Sequence, residues 1–284
     1  MSNQITTAFV QQYSSNVQML SQQMGSYLRG AVDVESVVGK NAFFDQVGKT
    51  TAVENARRHA DTPQLDTPHS RRRVSLADYE FADLIDNADK VRLLIDPTSS
   101  YAKAAAAAMG RAMDDVIITA LGRTAFSVET GSTNTPAANS ITNGSDGLTI
   151  AKFRTAKKIL DLADVDPSLQ RYILMWPNQI SNLLGTTQIT SSDFNTVKAL
   201  AQGQVDSFLG FKFIVSNRLV KCNTTRLCYA FTQDAIKLAI GQDVLARIDE
   251  RADKSYSTQV YYAMSIGATR MEEEKVVEIA CDES

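Results

Sequence analysis

Residues 96–126, DPTSSYAKAAAAAMGRAMDDVIITALGRTAF, decide the fold. Asp96-Pro97-Thr98-Ser99-Ser100 is a helix start, with polar capping residues and a Pro where its missing N–H costs nothing. Ala, the best helix former, dominates the next two turns. The spacing predicts one helix from about Pro97 to Thr124, on the order of 40 Å at 1.5 Å per residue. Ala105, Met109, Ala112, Val116, Ala120 and Leu121 are its expected apolar face. Gly110 and Gly122 weaken it slightly, and Asp114-Asp115 reads as a solvated or interface face. A helix longer than the usual three to four turns is a spine for other elements.

Upstream, residues 40–86 carry two short β-like stretches, Gly48–Val53 and Arg73–Leu76. Between them lie Arg57, Arg58, His59, Asp61, Pro63, Asp66, Pro68, His69, Arg71, Arg72 and Arg73, which leave little to build a core. This predicts a long hairpin or loop projecting from the body. Earlier still, Phe9, Tyr13, Val17, Leu20 and Met24 recur at three- or four-residue steps in a segment with Arg29 as its only base. That polar arm with an apolar stripe suits either a partner surface or its own domain.

Downstream, 129–149 is rich in Gly, Ser, Thr and Asn and reads as a linker between lobes. An α/β stretch comes next. A helix is expected at Ile150–Ala163, strands at Arg171–Trp176, Gly210–Ser216 and Leu227–Phe231, short helices at Asn178–Leu184 and Phe194–Leu200, and a helical turn at Asp234–Ile240. The tail alternates with a period of two through Val260, Tyr262, Met264, Ile266 and Ala268, and resumes at Val277, Ile279 and Cys281 after Glu272-Glu273-Glu274-Lys275. Two or three long antiparallel strands therefore close the chain, with the spine helix as the candidate cover for their apolar face.

The 284 residues suffice for one large domain or two modest ones, with a core that needs no disulfide or metal. A net charge of −3 excludes a uniformly cationic nucleic-acid binder. Cys222, Cys228 and Cys281 form neither a disulfide framework nor a zinc knuckle, which suits a reducing compartment. The first residues lack a basic n-region and a long apolar core, so no signal peptide is expected. No run is long and apolar enough to span a membrane.

The candidate chemistries are weak. Gln46-Val47-Gly48-Lys49-Thr50 has Phe43 where a phosphate loop needs glycine, so Gly48 reads as a turn. His59 and His69 flank Asp61 and Asp66, but in the segment with least core, and catalytic groups must be held rigidly. Neither Cys222 nor Cys228 has a nearby His to activate it. No catalytic residue, metal ligand or cofactor is assigned. The Arg cluster has no interleaved aromatics for single-strand nucleic acid, and pairs better with a carboxylate surface on another subunit. Asp78, Glu80, Asp83, Asp86 and Asp89, and later Glu272, Glu273 and Glu274, supply such carboxylates.

The order of these parts, and the stretch NAFFDQVGKTTAVENARRHADTPQLDTPHSRRRVSLADYEFADLIDNADKVRLLIDPTSSYAKAAAAAMGRAMDDVI at residues 41–117, resembles the major capsid proteins of tailed bacteriophages. The resemblance spans nearly the whole chain and implies an α+β Hong Kong 97-like fold. It implies an N-terminal arm at 1–39, an E-loop and its approach at 40–86, and a P-domain with spine helix and linker at 87–149. An axial A-domain at 150–235 and a return to the P-domain in long strands at 236–284 complete it. It further implies self-assembly as hexamers and pentamers into an icosahedral shell around double-stranded DNA, built in the host cytoplasm, with a portal and a decoration or scaffolding protein as further partners. Nothing marks an isopeptide-forming Lys–Asn pair, although Lys40 and Lys49 lie near or in the hairpin. No charge-rich scaffolding segment precedes the arm.

An arm and a hairpin without a core lose chain entropy on ordering and recover it by burying surface on neighbours. The expected inter-subunit contacts are therefore Phe9, Tyr13 and Val17 in the arm, Arg57, Arg58, Arg71, Arg72 and Arg73 in the hairpin, and Glu272, Glu273 and Glu274. A nanocompartment (encapsulin-like) shell of the same fold is the alternative reading. An α/β enzyme using residues 150–240 is a distant third.

Overall fold

The computed structural model describes residues 21–54, 62, 64–86, 98–127, 132–134, 139–184 and 207–283. Strands β1 (Asp33–Ser36), β2 (Asn41–Val47), β3 (His69–Ser75) and β4 (Ala77–Ile85) precede helix α1 (Thr98–Gly122). Short strands β5 (Ala125–Ser127), β6 (Ser132–Asn134) and β7 (Ser140–Ile141) lead to helix α2 (Ile150–Leu162). Then come β8 (Arg171–Met175), α3 (Pro177–Leu184), β9 (Ser207–Phe208), β10 (Phe211–Val215), β11 (Lys221–Cys222) and β12 (Thr225–Thr232). Three strands end the chain: β13 (Ile236–Arg251), β14 (Ser257–Arg270) and β15 (Val276–Asp282).

The spine helix forms as its alanines require, but its buried stripe is Ala105, Met109, Met113, Ile117 and Leu121. The expected Ala112, Val116 and Ala120 are only half-buried. Turning the helix by one residue buries Met113 and Ile117, which carry more apolar area than Ala112 and Val116. It also brings Asp114 inside, fully buried rather than solvated. Backbone donors meet that carboxylate: Tyr27 N–H donates to Oδ2 and Leu28 N–H to Oδ1, each at 3.1 Å.

The chain divides into two compact units. The first comprises residues 1–26, 78–111 and 242–264. Here Gly110 lets the incoming segment lie against the helix, since a Cβ would stand 2.4 Å from the Gly25 carbonyl carbon. Arg111 Nη1 donates to Gln22 Oε1 at 2.9 Å and holds it there. Ser257 Oγ donates to Asp86 Oδ1 at 2.6 Å, joining the strands to the segment after β4. Around the turn between β13 and β14, Arg251 holds the exposed Asp253 carboxyl down at about 2.

The second unit comprises residues 27–77, 112–241 and 265–284. Its largest sheet has seven strands in the order β7-β15-β12-β8-β10-β9, with β11 paired to β12. β8 and β10 run parallel, as an α/β crossover demands, while β12 is antiparallel to both β8 and β15. On α2, Phe153 packs at 5.8–6.3 Å from the rings of Phe208, Phe211 and Phe213. Thr149 caps this helix by accepting from Lys152 N–H at 3.4 Å. The buried Lys152 ammonium donates to the carbonyls of Asn143, Asp146 and Ala280 at 2.7–2.9 Å, stapling the preceding turn and β15 to α2.

Other expectations shift. The 3-10 turn covers only Gln233–Ala235, and Ile236 onward is strand, because Ile236, Leu238, Ala239 and Ile240 are all buried. Described residues of 129–149 lie inside the second unit and add β6 and β7 to its sheets. The stretch 194–200 lies outside the described residues. No described helix is long and apolar enough to cross a membrane.

Asp114→Ala should cost about 3 kcal/mol in urea unfolding, because two backbone N–H groups lose a charged acceptor. Asp115→Ala, which removes a partly exposed pair with Arg218, should cost under about 1 kcal/mol. Glu278 on β15 is half-buried opposite Tyr229, and burial pushes its carboxyl above the ordinary value while Arg270 pulls it back. A raised native pKa means stability is lost as pH climbs through it. Glu278→Gln should thus gain stability relative to the parent chain as pH rises through that value, with no gain below the ordinary carboxylate range, as read by melting curves across pH.

Candidate inter-subunit surface

The hairpin begins earlier than its sequence suggested. β2 pairs antiparallel with β3, Asn41 opposite Ser75 through Val47 opposite His69. Gly48–Val53 is not strand. Gly48 N–H donates to Pro68 O at 2.8 Å, and a Cβ there would meet Pro68 Cγ at 2.6 Å, so Gly48 makes the shoulder of the hairpin and no phosphate loop. β5 and β6 extend the sheet, with Arg73 opposite Phe126.

Because strand side chains alternate, Arg71, Arg72 and Arg73 cannot act as one cluster. Arg72 points inward with Phe44 and Val74, which join Ala239 and Met271 in a small core. The base of the hairpin thus has the core that its composition had seemed to deny it. Arg71 and Arg73 point outward. Arg71 Nε donates to Asp45 Oδ1 at 2.5 Å, and that bond holds the Asp45 carboxyl below its usual value. The Arg71 guanidinium lies 5.9 Å from the Phe43 ring, and the Arg73 guanidinium 5.3 Å from the Phe126 ring. Phe43, Arg73 and Phe126 sit opposite one another across three strands, giving an outer face of alternating cation and aromatic ring. Phe43 is 38% and Phe126 43% exposed, so large apolar surface borders these charges.

The inner arginine meets the acidic turn between β14 and β15. Arg72 Nη2 donates to Glu273 Oε1 and Oε2 at 2.8 and 2.6 Å, Nη1 to Ser127 Oγ at 3.0 Å, and Nε to Met271 O at 2.9 Å. Arg270, fully buried, has Nη2 4.0 Å from Glu273 Oε1. Its Nη1 donates to Leu121 O and Arg123 O at 2.9 and 3.0 Å, which caps the C-terminus of α1. Burial pushes the Arg270 guanidinium below its ordinary value, and Glu273 opposes that.

The neighbouring acids are also engaged. Glu274 lies 3.6 Å and Asp164 3.8 Å from Lys49 Nζ, which donates to Ala163 O at 3.1 Å. Glu272 shares Lys275 with Asp234. Burial pulls the Lys275 ammonium down, but its bonds to those two carboxylates outweigh burial and hold it above the usual value. Lys49, Asp164, Glu272, Glu274 and Lys275 line an open cleft of about 540 Å³ with Asp166.

The expected contacts Phe9, Tyr13, Val17, Arg57 and Arg58, with His59, lie outside the described residues. His69 stands on the outer face of β3, exposed. Among the described residues, no group of three His, Cys, Asp or Glu could hold a metal. Cys222 is exposed, while Cys228 and Cys281 are buried together. The contact with Cys281 and burial push the Cys228 thiol well up, which leaves it a poor nucleophile. Arg270, Asp114 and Lys152 were missed by sequence reasoning. A charged residue on an otherwise apolar stripe was the signal available at Asp114 and Arg270.

Glu273→Gln should cost about 3 kcal/mol, since it leaves two buried guanidiniums short of their counter-charge. Asp45→Asn should leave the unfolding midpoint nearly unchanged, because the pair it breaks with Arg71 is exposed. Urea unfolding at neutral pH separates the two.

A family model described as phage capsid protein matches residues 5–283. No curated protein sequence matches the chain. Among solved structures, the capsid of the cyanophage P-SCSP1u is similar at a TM-score of 0.79 and 17% identity, over 99% of this chain and 95% of that one. Mycobacterium phage Che8 is similar at 0.71 and 17%, over 95% and 97%. The capsid of the Helicobacter pylori bacteriophage KHP30 is similar at 0.71 and 12%, over 99% and 97%. With the long helix, the β2–β3 hairpin, the α/β lobe and the closing strands, these likenesses give the α+β fold as the Hong Kong 97-like one. The family match from end to end then makes the chain a member of the phage capsid protein family, a subunit of a capsid shell.

Proposed function

We propose that many copies of this chain, as hexamers and pentamers, build the icosahedral head that encloses the double-stranded DNA of a tailed phage, assembled in the host cytoplasm. A portal and a decoration or scaffolding protein would be its further partners, and it would perform no catalysis itself. The family match favours this over a nanocompartment shell or an α/β enzyme.

The observation that supports inter-subunit contact at the hairpin is the outward pair Arg71 and Arg73 between Phe43 and Phe126. Guanidiniums set against exposed aromatic rings present both charge and apolar area, the combination that anchors protein interfaces. Carboxylates on a neighbouring copy are the natural complement, and β4 exposes Asp78 and Glu80. Arg72 and Glu273 serve the chain's own fold in this reading, while Phe9, Tyr13, Val17, Arg57 and Arg58 keep their proposed contacts with neighbours. A net charge of −3 suits a container whose wall must not trap DNA.

Negative-stain microscopy of the purified full chain should show closed particles; a monodisperse monomer at all concentrations would defeat the proposal. Arg71→Glu with Arg73→Glu should abolish particles while the subunit keeps its melting temperature within a few degrees. Arg72→Glu should instead lower that temperature sharply. Normal shells from the first variant would remove the hairpin face from the interface.

A further inference from the structure

The four-stranded sheet of β1, β13, β14 and β4, in that order, leaves most of one edge bare among the described residues. β1 covers β13 only from Lys237 to Ile240, and Val37 N–H then donates to Ile240 O at 3.0 Å. Beyond it, β13 continues for eleven more residues, Gly241–Arg251, with no strand on that side among the described residues. Side chains there are exposed on both faces of the strand, apart from the half-buried Leu245 and Arg251. Val244 is 38% and Ile248 50% exposed.

Such an edge invites pairing, and proteins usually blunt it with Pro, a kink or charged side chains, Lys above all. The stretch QDVLARIDER, residues 242–251, contains no Pro, Gly or Lys, and none of its residues has positive φ. Its charges are mixed: Asp243, Arg247, Asp249, Glu250 and Arg251. Those charges repel a strand of unmatched order, so a partner for this long edge must carry complementary charges at the opposed positions, and the chain's own charge order supplies them.

We propose that this edge pairs antiparallel with the same edge of a second copy, about a two-fold axis through Ile248. This rests on the reading of the chain as a self-assembling subunit. In that register Ile248 meets Ile248 of the second copy, and Arg247 meets Asp249 twice, once on each side of the axis. Both pairs fall on one face, where directly opposed side chains attract. Leu245 then lies opposite Arg251, and Ala246 opposite Glu250, with no like charges opposed within the strand. Registers centred on Arg247 or Asp249 would oppose two arginines or two aspartates. One centred on Ala246 would set Asp243 against Asp249. A register centred on Leu245 would also match charges, Asp243 with Arg247. It needs Gly241, the residue next to the Val37–Ile240 bond. The Ile248 register instead lies wholly beyond that obstruction. An isologous contact of this kind closes on itself and supplies a two-fold element to a symmetric shell.

The test is cysteine crosslinking in the full chain, with the exposed Cys222 replaced by Ser. Directly opposed Cβ atoms in an antiparallel pair come within reach of a disulfide. Air oxidation with a copper–phenanthroline catalyst should shift Ile248→Cys to twice the subunit mass on a non-reducing gel, in particles or in concentrated unassembled subunits. Val244→Cys, which would face Ala252, should stay at subunit mass. Adding Arg247→Asp should lower the Ile248→Cys dimer yield several-fold, and adding Asp249→Arg to that variant should restore it. Absence of the Ile248→Cys dimer in both states, or an equal yield from Val244→Cys, overturns the pairing. Particles seen by microscopy without that dimer would sink the pairing and leave the shell subunit standing; loss of both would sink both. A dimer with no response to Arg247→Asp would overturn the register.

Discussion

One carboxylate holds the second unit to its plan. Glu273 sits between Arg72 from the hairpin and Arg270 at the end of β14, and Arg270 reaches on to the last carbonyls of the spine helix. Three elements far apart in sequence are thereby fixed by three side chains. A buried guanidinium is costly unless paired, and Arg270 alone would bear that cost in full. The helix carbonyls and Glu273 offset it together, so helix, turn and hairpin stand or fall as one. Gly267 shows how tight the arrangement is: a Cβ there would stand 2.5 Å from Ser75 O, so the hairpin strand crosses β14 where no side chain fits.

That node sorts the hairpin's charges by purpose. Inward alternation commits Arg72 to the fold, and outward alternation sets Arg71 and Arg73 on the opposite face, beside Phe43 and Phe126. A run of three arginines thus divides into an internal staple and an external surface without any change in chemistry. The same logic applies to the acids. Glu273 is engaged internally, while Glu272 and Glu274 remain half or more exposed beside lysines.

Much of this was legible in the sequence where periodicity was strong. The spine helix, α2, β8, β10, β12, β14 and β15 appear close to their expected limits, because apolar spacing and Pro or Gly boundaries mark them, whereas β13 begins where a helical turn was expected. Buried charge was not legible. Asp114 looks like surface until Tyr27 and Leu28, 86 or 87 residues earlier, bring their N–H groups to it. Lys152 looks like an ordinary helix lysine until Asn143, Asp146 and Ala280 turn three carbonyls toward it. Both depend on long-range geometry that no local pattern encodes. The hairpin's limits were misread for a related reason: the partners of Phe44 and Val74, Ala239 and Met271, lie far away in the chain. The arginine run could have been divided in advance, since a strand over 69–75 forces alternate arginines to opposite faces.

A subunit meant for a shell has two demands that conflict in a monomer. It must keep its shape against neighbours that pull on it, and it must leave surface uncovered for them. The buried ion node, the caged Lys152 and the Asp114 clamp meet the first demand with polar groups whose geometry is specific. Unlike apolar packing, they tolerate no slippage between helix, hairpin and lobe. In the proposed assembly, the β13 edge left open among the described residues and the outer face of the hairpin would meet the second. Each would be a liability in a protein that stays alone, since exposed edges and apolar patches invite association. In a closed symmetric assembly the same features are satisfied once per copy, so modest contacts multiply into a stable whole without any single one being strong. The small net charge fits that division of labour: many acids and bases pair within the chain, and in the proposed assembly the exposed ones would meet those of other copies.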